Sequence, residues 1–205
     1  MTHFRLALYL LSATTLADPI DEAYAAYARG DKPVALQRYR QLAEQGHALA
    51  QFNYAMMLRR GEAGQTQEDW LVWLEKAATG GVMNANYVLG LAYERGDGVP
   101  VSQVLATRWF KLAAEQGHTE AQLDLGTQYF LGRGAPKDYT EAARWYEKAA
   151  EGGNMGAQYL IASMYEHGDG KPVDIAQALM WYTAAARQGD PAAKLKAEVL
   201  ARSRP

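Results

Sequence analysis

The chain has 205 residues, of which 49% are hydrophobic and 21% charged, with a formal net charge of −2 and no cysteine. This is the composition of an ordinary globular protein with enough apolar material for a core. The small net charge disfavours a nucleic-acid partner, which usually requires clustered Lys and Arg. The absence of cysteine excludes thiol catalysis, disulfides and thiolate metal sites.

The N-terminus has the order of features that is typical of a secretory signal peptide. Met1–Arg5 carries one positive charge, Leu6–Ala13 is apolar, and Ala17 is a small residue directly before Asp18. The apolar run is shorter than the roughly 20 residues that a membrane-spanning helix needs, and no later stretch is apolar enough to span a membrane. We therefore expect residues 1–17 to be removed on export. In the alternative, residues 4–17 form a first helix packed on the rest, and the protein stays in the cytoplasm.

Beyond residue 18 the sequence repeats an eight-residue pattern that closes on a glycine. The steps between the closing glycines are 35, 36, 36 and 36 residues. A fixed period in this range is typical of stacked supersecondary units, each of which buries its apolar face against a neighbour. The spacing predicts an N-terminal capping helix pair, four repeats, and a C-terminal capping helix with a tail. Their expected bounds are 18–47, then 48–81, 82–117, 118–153 and 154–189, and finally 190–205.

Each repeat begins with a predicted helix in which small or apolar residues recur at offsets 0, 4, 5 and 8. In the second repeat these are Ala85, Leu89, Gly90 and Tyr93. Such a spacing is one face of a 3.6-residue helix. A glycine follows each of these helices and suits its end, because glycine adopts left-handed backbone geometry without a Cβ penalty. The glycines concerned are Gly61, Gly96, Gly132 and Gly168.

The second helix of each repeat shows a stronger pattern. In the third repeat Ala142, Trp145, Tyr146 and Ala149 fall on one helical face, and the start of this helix has capping-box spacing. The same capping spacing occurs between Asp174 and Gln177 one repeat later. We expect the rings of these helices to fill the space beside a small residue of the first helix, so a bulky residue at Gly126 should force the helix pair apart.

The repeated residues resemble those of a known family. Ala-x-x-x-Leu-Gly-x-x-Tyr, then Gly-x-Gly, then Ala-x-x-Trp-Tyr-x-x-Ala-Ala-x-x-Gly is similar to the Sel-1-like repeat, a relative of the tetratricopeptide repeat. The similarity extends over residues 48–189, and the first unit departs from it at Leu58, Ala63 and Trp70. The resemblance implies an all-α, right-handed α-solenoid of stacked antiparallel helix pairs. It also implies a bacterial protein that acts as an interaction scaffold or adaptor; with export, this places it in the periplasm or outside the cell.

The resemblance further implies where a partner binds. In tetratricopeptide proteins the first-helix positions opposite the core line a concave groove, and the matching positions here are offsets 2, 6, 9 and 10. Aromatic residues and Met beside Arg are enriched in protein interfaces. We therefore expect a peptide-binding groove that favours an acidic or carboxyl-terminal segment of a protein partner. Its expected residues are Phe52, Met56, Arg59, Arg60, Tyr87, Leu91, Glu94, Arg95, Leu123, Thr127, Phe130, Leu131, Tyr159, Ser163, Glu166 and His167.

Two other interpretations of these positions stay open. In the first, the side chains at offset 2, and also Met56, Leu91 and Phe130, pack within the solenoid on the second helix of the preceding unit. The offset-2 residues are Phe52, Tyr87, Leu123 and Tyr159. In the second, the protein binds peptidoglycan or another carbohydrate, with Tyr87, Tyr159 and Trp70 as stacking platforms.

Motifs for catalysis, cofactors and metals are absent from the sequence. It contains no Ser-x-x-Lys, Gly-x-Ser-x-Gly, His-Glu-x-x-His or phosphate-loop pattern. His47 and His118 occupy the same slot after a closing glycine, which favours a role at a helix start over metal binding. We expect a non-catalytic protein without cofactor or metal.

Overall fold

A computed structural model describes residues 18–64 and 69–202. Within this part of the chain there are eleven helices and no strand. The helices are α1 (Pro19–Ala28), α2 (Lys32–Glu44), α3 (Ala48–Arg59), α4 (Trp70–Thr79), α5 (Met83–Arg95), α6 (Gln103–Glu115), α7 (Thr119–Leu131), α8 (Tyr139–Glu151), α9 (Met155–His167), α10 (Ile175–Arg187) and α11 (Pro191–Arg202). The expected signal peptide, residues 1–17, lies outside the described residues.

The helices stack in chain order as an α-solenoid, which confirms the expected fold class. The most extensive contacts join the two helices of each pair, α3 with α4, α5 with α6, α7 with α8 and α9 with α10. Each pair also packs on the next through its second helix and the following first helix. The core is therefore divided into clusters of buried residues along the stack, as expected for units that cannot bury their apolar face alone.

Both ends of the helices follow the sequence signals. Asp138 caps α8 by accepting hydrogen bonds from the backbone N–H groups of Thr140 and Glu141 at 2.9 and 3.0 Å. Only this half of a capping box forms, because the Asp138 N–H donates to the Tyr129 carbonyl at 3.0 Å. The Glu141 carboxylate instead accepts from the side chains of Arg144 and Trp145. At the other end of the first helices, Gly96, Gly132 and Gly168 close α5, α7 and α9 with φ of 77°, 71° and 81°.

Small residues let the two helices of a pair approach closely. A Cβ added at Gly126 of α7 would stand 2.7 Å from Cδ1 of Tyr146 in α8, and one at Gly90 of α5 would stand 2.5 Å from Cδ1 of Phe110 in α6. Tyr146 and Phe110 are 2% and 0% exposed. The rings therefore occupy the volume that a side chain at either glycine would need, as the sequence pattern predicted.

The second glycine of each inter-helix loop has a separate structural role. A Cβ at Gly134 would collide with the carbonyl oxygen of Gln103, and one at Gly170 with the carbonyl oxygen of Tyr139. Both contacts are made with the first turn of the preceding repeat's second helix. In the first case the loop is also tied there by a hydrogen bond from Thr107 Oγ1 to the carbonyl of Arg133. These loops thus stack from repeat to repeat, which their helix-breaking sequence did not reveal.

A periodic glutamine also joins successive repeats. Gln51, Gln122 and Gln158 each donate from Nε2 to a carbonyl near the end of the preceding helix, at 3.2 Å in every case. All three side chains are buried. Each one adds a second donor to a carbonyl that already accepts the backbone N–H of the closing glycine, Gly46, Gly117 or Gly153. Across the described ranges, 18–64 and 69–202, no helix has the length and apolar character needed to cross a membrane.

Candidate peptide-binding face

The expected groove residues lie on the exposed sides of α3, α5, α7 and α9, and we call this surface the first-helix face. All of these side chains keep some exposure, since each is half-buried or exposed. Arg59, Arg60, Arg95, Leu131 and His167 are the exposed members. The remainder pack partly against the core and still reach the surface.

The aromatic members contact the second helix of their own repeat. Tyr87 lies 5.9 Å from Phe110, and Tyr159 lies 5.3 Å from Tyr182, measured between ring centroids. Tyr87 also stacks on the His118 ring at 4.2 Å. These contacts differ from the packing alternative, which assigned both tyrosines to the second helix of the preceding unit. Each ring presents only part of its surface to solvent.

The polar members mostly connect neighbouring repeats. Glu94 accepts a hydrogen bond from Gln128 Nε2 at 3.1 Å. Glu166 accepts from the Tyr182 phenol at 2.7 Å and from Lys196 Nζ at 3.0 Å. Burial opposes ionisation of Glu166, but these two donors outweigh it and lower the pKa of its carboxyl. These two glutamates therefore link each first helix to the next one along the stack.

The Arg59 side chain is likewise bonded to the next repeat. Its guanidinium donates to Asp97 Oδ2 at 2.9 Å from Nε and 2.6 Å from Nη2, and it lies 5.1 Å above the Trp70 ring. Ser163 and His167 are paired with each other, with 2.8 Å between His167 Nδ1 and the Ser163 carbonyl. In contrast, among the described residues the exposed Arg95 makes no hydrogen bond or ion pair. Of the three arginines among the expected groove residues, Arg95 is thus the one without a hydrogen bond to another described residue, since Arg60 donates to Tyr27.

A residue that sequence reasoning missed lies at the middle of this face. Asp124 of α7 is half-buried, and burial, helped by the nearby Glu94 charge, raises the pKa of its carboxyl to about 6. Burial also raises the pKa of the neighbouring Tyr87 phenol, and the Asp124 charge adds to this shift. Asp124 stands at offset 3, whereas the expected groove residues stand at offsets 2, 6, 9 and 10. The sequence pattern therefore did not indicate it.

His47 and His118 occupy equivalent repeat positions but differ in their hydrogen bonds. His118 Nδ1 accepts a hydrogen bond from the Ala121 backbone N–H at 3.2 Å and caps α7. Burial lowers the pKa of His118, consistent with a neutral ring whose Nδ1 is an acceptor. His47 makes no such bond at the start of α3, so the helix-start role holds only for His118. The described residues contain no cluster of three or more potential metal ligands.

The first-helix face deepens into a cavity at its N-terminal end. The cavity has a volume of about 190 Å³ and lies between α1, α2 and α3. Its lining brings together three tyrosines, a phenylalanine, two methionines, an amide and a guanidinium, contributed by Tyr24, Tyr27, Tyr39, Phe52, Asn53, Met56, Met57 and Arg60. Three of these are expected groove residues, namely Phe52, Met56 and Arg60.

The other cavity residues escaped the sequence analysis because α1 and α2 lack the long-loop repeat pattern. The pair Tyr24 and Tyr27, three residues apart on α1, was the available signal, since side chains at this spacing share a helical face. Tyr39 and Met57 are each 2% exposed and form the cavity floor, whereas Tyr24 is 65% exposed at its rim. Concave, mainly apolar sites with a few convergent polar groups are where proteins usually bind ligands.

Comparisons with known proteins agree with this architecture. A family model described as the Sel1 repeat matches residues 48–69, 71–82, 84–118, 119–154 and 156–190. No curated protein matches the chain. Among solved structures, the chain is similar to c5321, a protective antigen of uropathogenic Escherichia coli strains that displays an SLR fold. The two share 34% identity with a TM-score of 0.79 over 87% of this chain and 39% of that one.

A second similar structure is a Sel1 repeat protein from Oxalobacter formigenes. It shares 35% identity with a TM-score of 0.75, over 81% of this chain and 49% of that one. The chain therefore spans no more than about half the length of either structure. Both come from bacteria.

Proposed function

Because the chain belongs to the Sel1 repeat family, we propose that it is a non-catalytic scaffold that binds a peptide segment of another protein along the first-helix face. Proteins of this family are generally protein-interaction scaffolds. The observation that carries the proposal is the apolar cavity between α1 and α3, which opens on the same face as the half-exposed apolar side chains of α5 and α7.

The shape of this face suits an extended or helical segment better than a small substrate. Leu91 is half-buried and Leu131 is 47% exposed, and they follow the cavity along successive first helices. A row of separated apolar contacts with Arg95 beside it is the arrangement of anchors and polar rim found in protein interfaces. Arg95 then favours a partner segment that carries negative charge.

The carbohydrate alternative gains no support from the rings that it requires. Tyr87 has one face against His118, Tyr159 meets Tyr182 edge-on, and Trp70 lies beneath the Arg59 guanidinium. A sugar-stacking platform needs an open aromatic face. The three rings instead contribute to packing within the solenoid.

We place the protein in the periplasm or outside the cell. This proposal depends on residues 1–17, whose signal-peptide pattern lies outside the described residues, and it fits the bacterial source of the two similar structures. An adaptor in the envelope would use export for access to its partner.

A pull-down with matched surface variants tests the proposed face. The first variant combines Arg95→Glu with Leu131→Ser, because both side chains are exposed and their loss should leave the fold intact. The control combines Lys111→Glu with Leu112→Ser, which likewise reverses one cationic charge and replaces one exposed leucine, on α6. We expect crosslinked partners, identified by mass spectrometry, to be lost from the first variant and retained by the control. Equal recovery from both variants would show that the first-helix face is not the binding surface.

A further inference from the structure

We infer that the α1–α3 cavity is the anchor site for one apolar side chain of the bound segment, and that Arg60 selects an acidic residue beside that anchor within an internal stretch of the partner. The inference rests on the proposed function, because it names the chemistry of the segment that the first-helix face would bind. It is carried by the cavity lining, by the hydrogen bonds of Arg60, and by the exposure of the rim.

Two clusters of buried residues, one on each side, support the walls of the cavity. Tyr27 packs against the cluster of buried residues around Tyr39 and Met57, whereas Phe52 and Met56 pack against the next cluster along the stack. Its walls are therefore held in place without a ligand. Methionine side chains adapt to different apolar shapes, so Met56 and Met57 suit an anchor such as Leu, Met or Phe.

Arg60 supplies the charge selectivity at the rim. Its Nη1 donates to the Tyr27 phenol at 2.9 Å, and that phenol donates to Glu62 Oε1 at 3.2 Å. The ion pair of Glu62 is with Lys32, at 2.7 Å. Within the described ranges Arg60 has no carboxylate within 4 Å. Its exposed guanidinium is thus available for a carboxylate of the partner, and it repels a cationic ligand that four aromatic rings would otherwise attract.

The surroundings favour an internal segment over a chain terminus. Tyr24 offers an exposed ring on the α1 side of the cavity, and the first-helix face continues on the other side through α5. A bound chain can therefore extend from the anchor in both directions. The Asn53 side chain makes no hydrogen bond to another described residue, so its donor and acceptor are free for the backbone of that chain.

Methionine-methyl NMR of the full chain tests this assignment. The probe is the capped peptide acetyl-Gly-Ser-Leu-Asp-Ser-Gly-amide, titrated into protein with 13C-labelled Met methyl groups. We expect the Met56 and Met57 signals to move, whereas the signal of Met180 on α10 stays fixed. Replacing the peptide's Leu with Ser should abolish the shifts. Replacing its Asp with Asn should weaken binding about two- to fivefold, the range expected for an exposed ion pair.

An Arg60→Gln variant separates the charge contribution from the cavity itself. Arg60 is exposed and Tyr27 keeps its hydrogen bond to Glu62 without it, so the fold should be retained; Arg187→Gln on α10 is the matched control. We expect the preference for the Asp peptide over the Asn peptide to disappear in Arg60→Gln and to persist in Arg187→Gln. Three further probes represent other occupants: acetyl-Gly-Ser-Leu with a free carboxyl terminus, choline, and an N-acetylglucosamine trimer.

The outcomes separate this inference from the proposed function. Tighter binding of the free-terminus peptide, of choline or of the sugar at Met56 and Met57 would overturn the internal acidic segment. An absence of shifts with the Leu-Asp peptide would overturn it too. If partner capture still depends on Arg95 and Leu131 in either case, the proposed binding face stands and only the anchor assignment falls. If the Arg95→Glu/Leu131→Ser variant captures partners as well as the wild type does, the proposed function itself falls.

Discussion

Substituting Gly126 by Ala tests whether close approach of the paired helices shapes the solenoid. The added Cβ would meet three atoms of the Tyr146 ring at 2.7, 2.8 and 3.2 Å. The ring has little room to yield, because Tyr146 is 2% exposed and its hydroxyl is 3.1 Å from Thr127 Oγ1. Overpacking of this kind costs about 1–3 kcal/mol, and the better helix propensity of Ala returns about 1 kcal/mol. The net expectation is a loss of about 0–2 kcal/mol.

Gly156 provides the matched control in the same type of helix. It lies in the first turn of α9, and an added Cβ there would have only Asn154 Oδ1 within 4 Å, at 3.4 Å. Gly156→Ala should therefore stabilise the protein by up to about 1 kcal/mol, since glycine disfavours a helix by roughly that amount. Gly90→Ala, which faces Phe110 at 2.5 Å, should behave like Gly126→Ala.

Thermal unfolding followed by circular dichroism measures the difference. For a chain of this size 1 kcal/mol corresponds to about 2–4 °C in Tm, so Gly126→Ala should melt several degrees below Gly156→Ala. The far-ultraviolet spectra of the folded variants should be alike. Equal melting temperatures for the two variants would refute the packing argument, because helix propensity alone would then account for both.

Further predictions concern a buried hydrogen bond, a titrating carboxyl and the N-terminus. Gln122→Leu removes one of two donors to the Ala114 carbonyl, which keeps its bond from the Gly117 N–H, and should cost about 0.5–1.5 kcal/mol in chemical denaturation, as for the loss of one hydrogen bond; a cost near zero would contradict this. Because the folded pKa of Asp124 is raised to about 6, its stabilising contribution is full below its unfolded pKa and is lost as pH rises through 6. Asp124→Asn should therefore raise Tm relative to wild type at pH 7.5 and much less at pH 3.5, and a difference independent of pH would disprove the assignment. Exported protein should begin at or near Asp18 by N-terminal sequencing, and an intact Met1 on the mature protein would exclude the periplasmic proposal.

The sequence carried most of the information about the fold, for a physical reason. Contacts within a repeat join residues at fixed offsets, so periodicity predicted that a ring of the second helix lies beside Gly126, and the structure identifies that ring as Tyr146. The family resemblance and the all-α solenoid were confirmed for the same reason. Gly134 shows where this reasoning was incomplete, because its collision partner Gln103 lies in the preceding repeat and no local pattern reports it.

The candidate site was harder to predict. Periodicity placed Glu94 and Glu166 on the first-helix face, but it could not show that Gln128 and Lys196 occupy their carboxylates from the next first helix. Two chemically identical positions, His47 and His118, differ because only one of them forms a cap. The predicted groove residues remain a proposal, and the cavity beside α1 came from the structure alone.

The most direct test of the binding face is site-specific photocrosslinking in the native organism. A benzophenone side chain would replace Leu131, which is 47% exposed on the first-helix face, and in parallel Met180, which is 48% exposed on the side of α10 that faces solvent. The two positions match in size, polarity and exposure. We expect discrete protein adducts from position 131 and none from position 180. Adducts from position 180 alone would place the partner on the second helices and contradict the account.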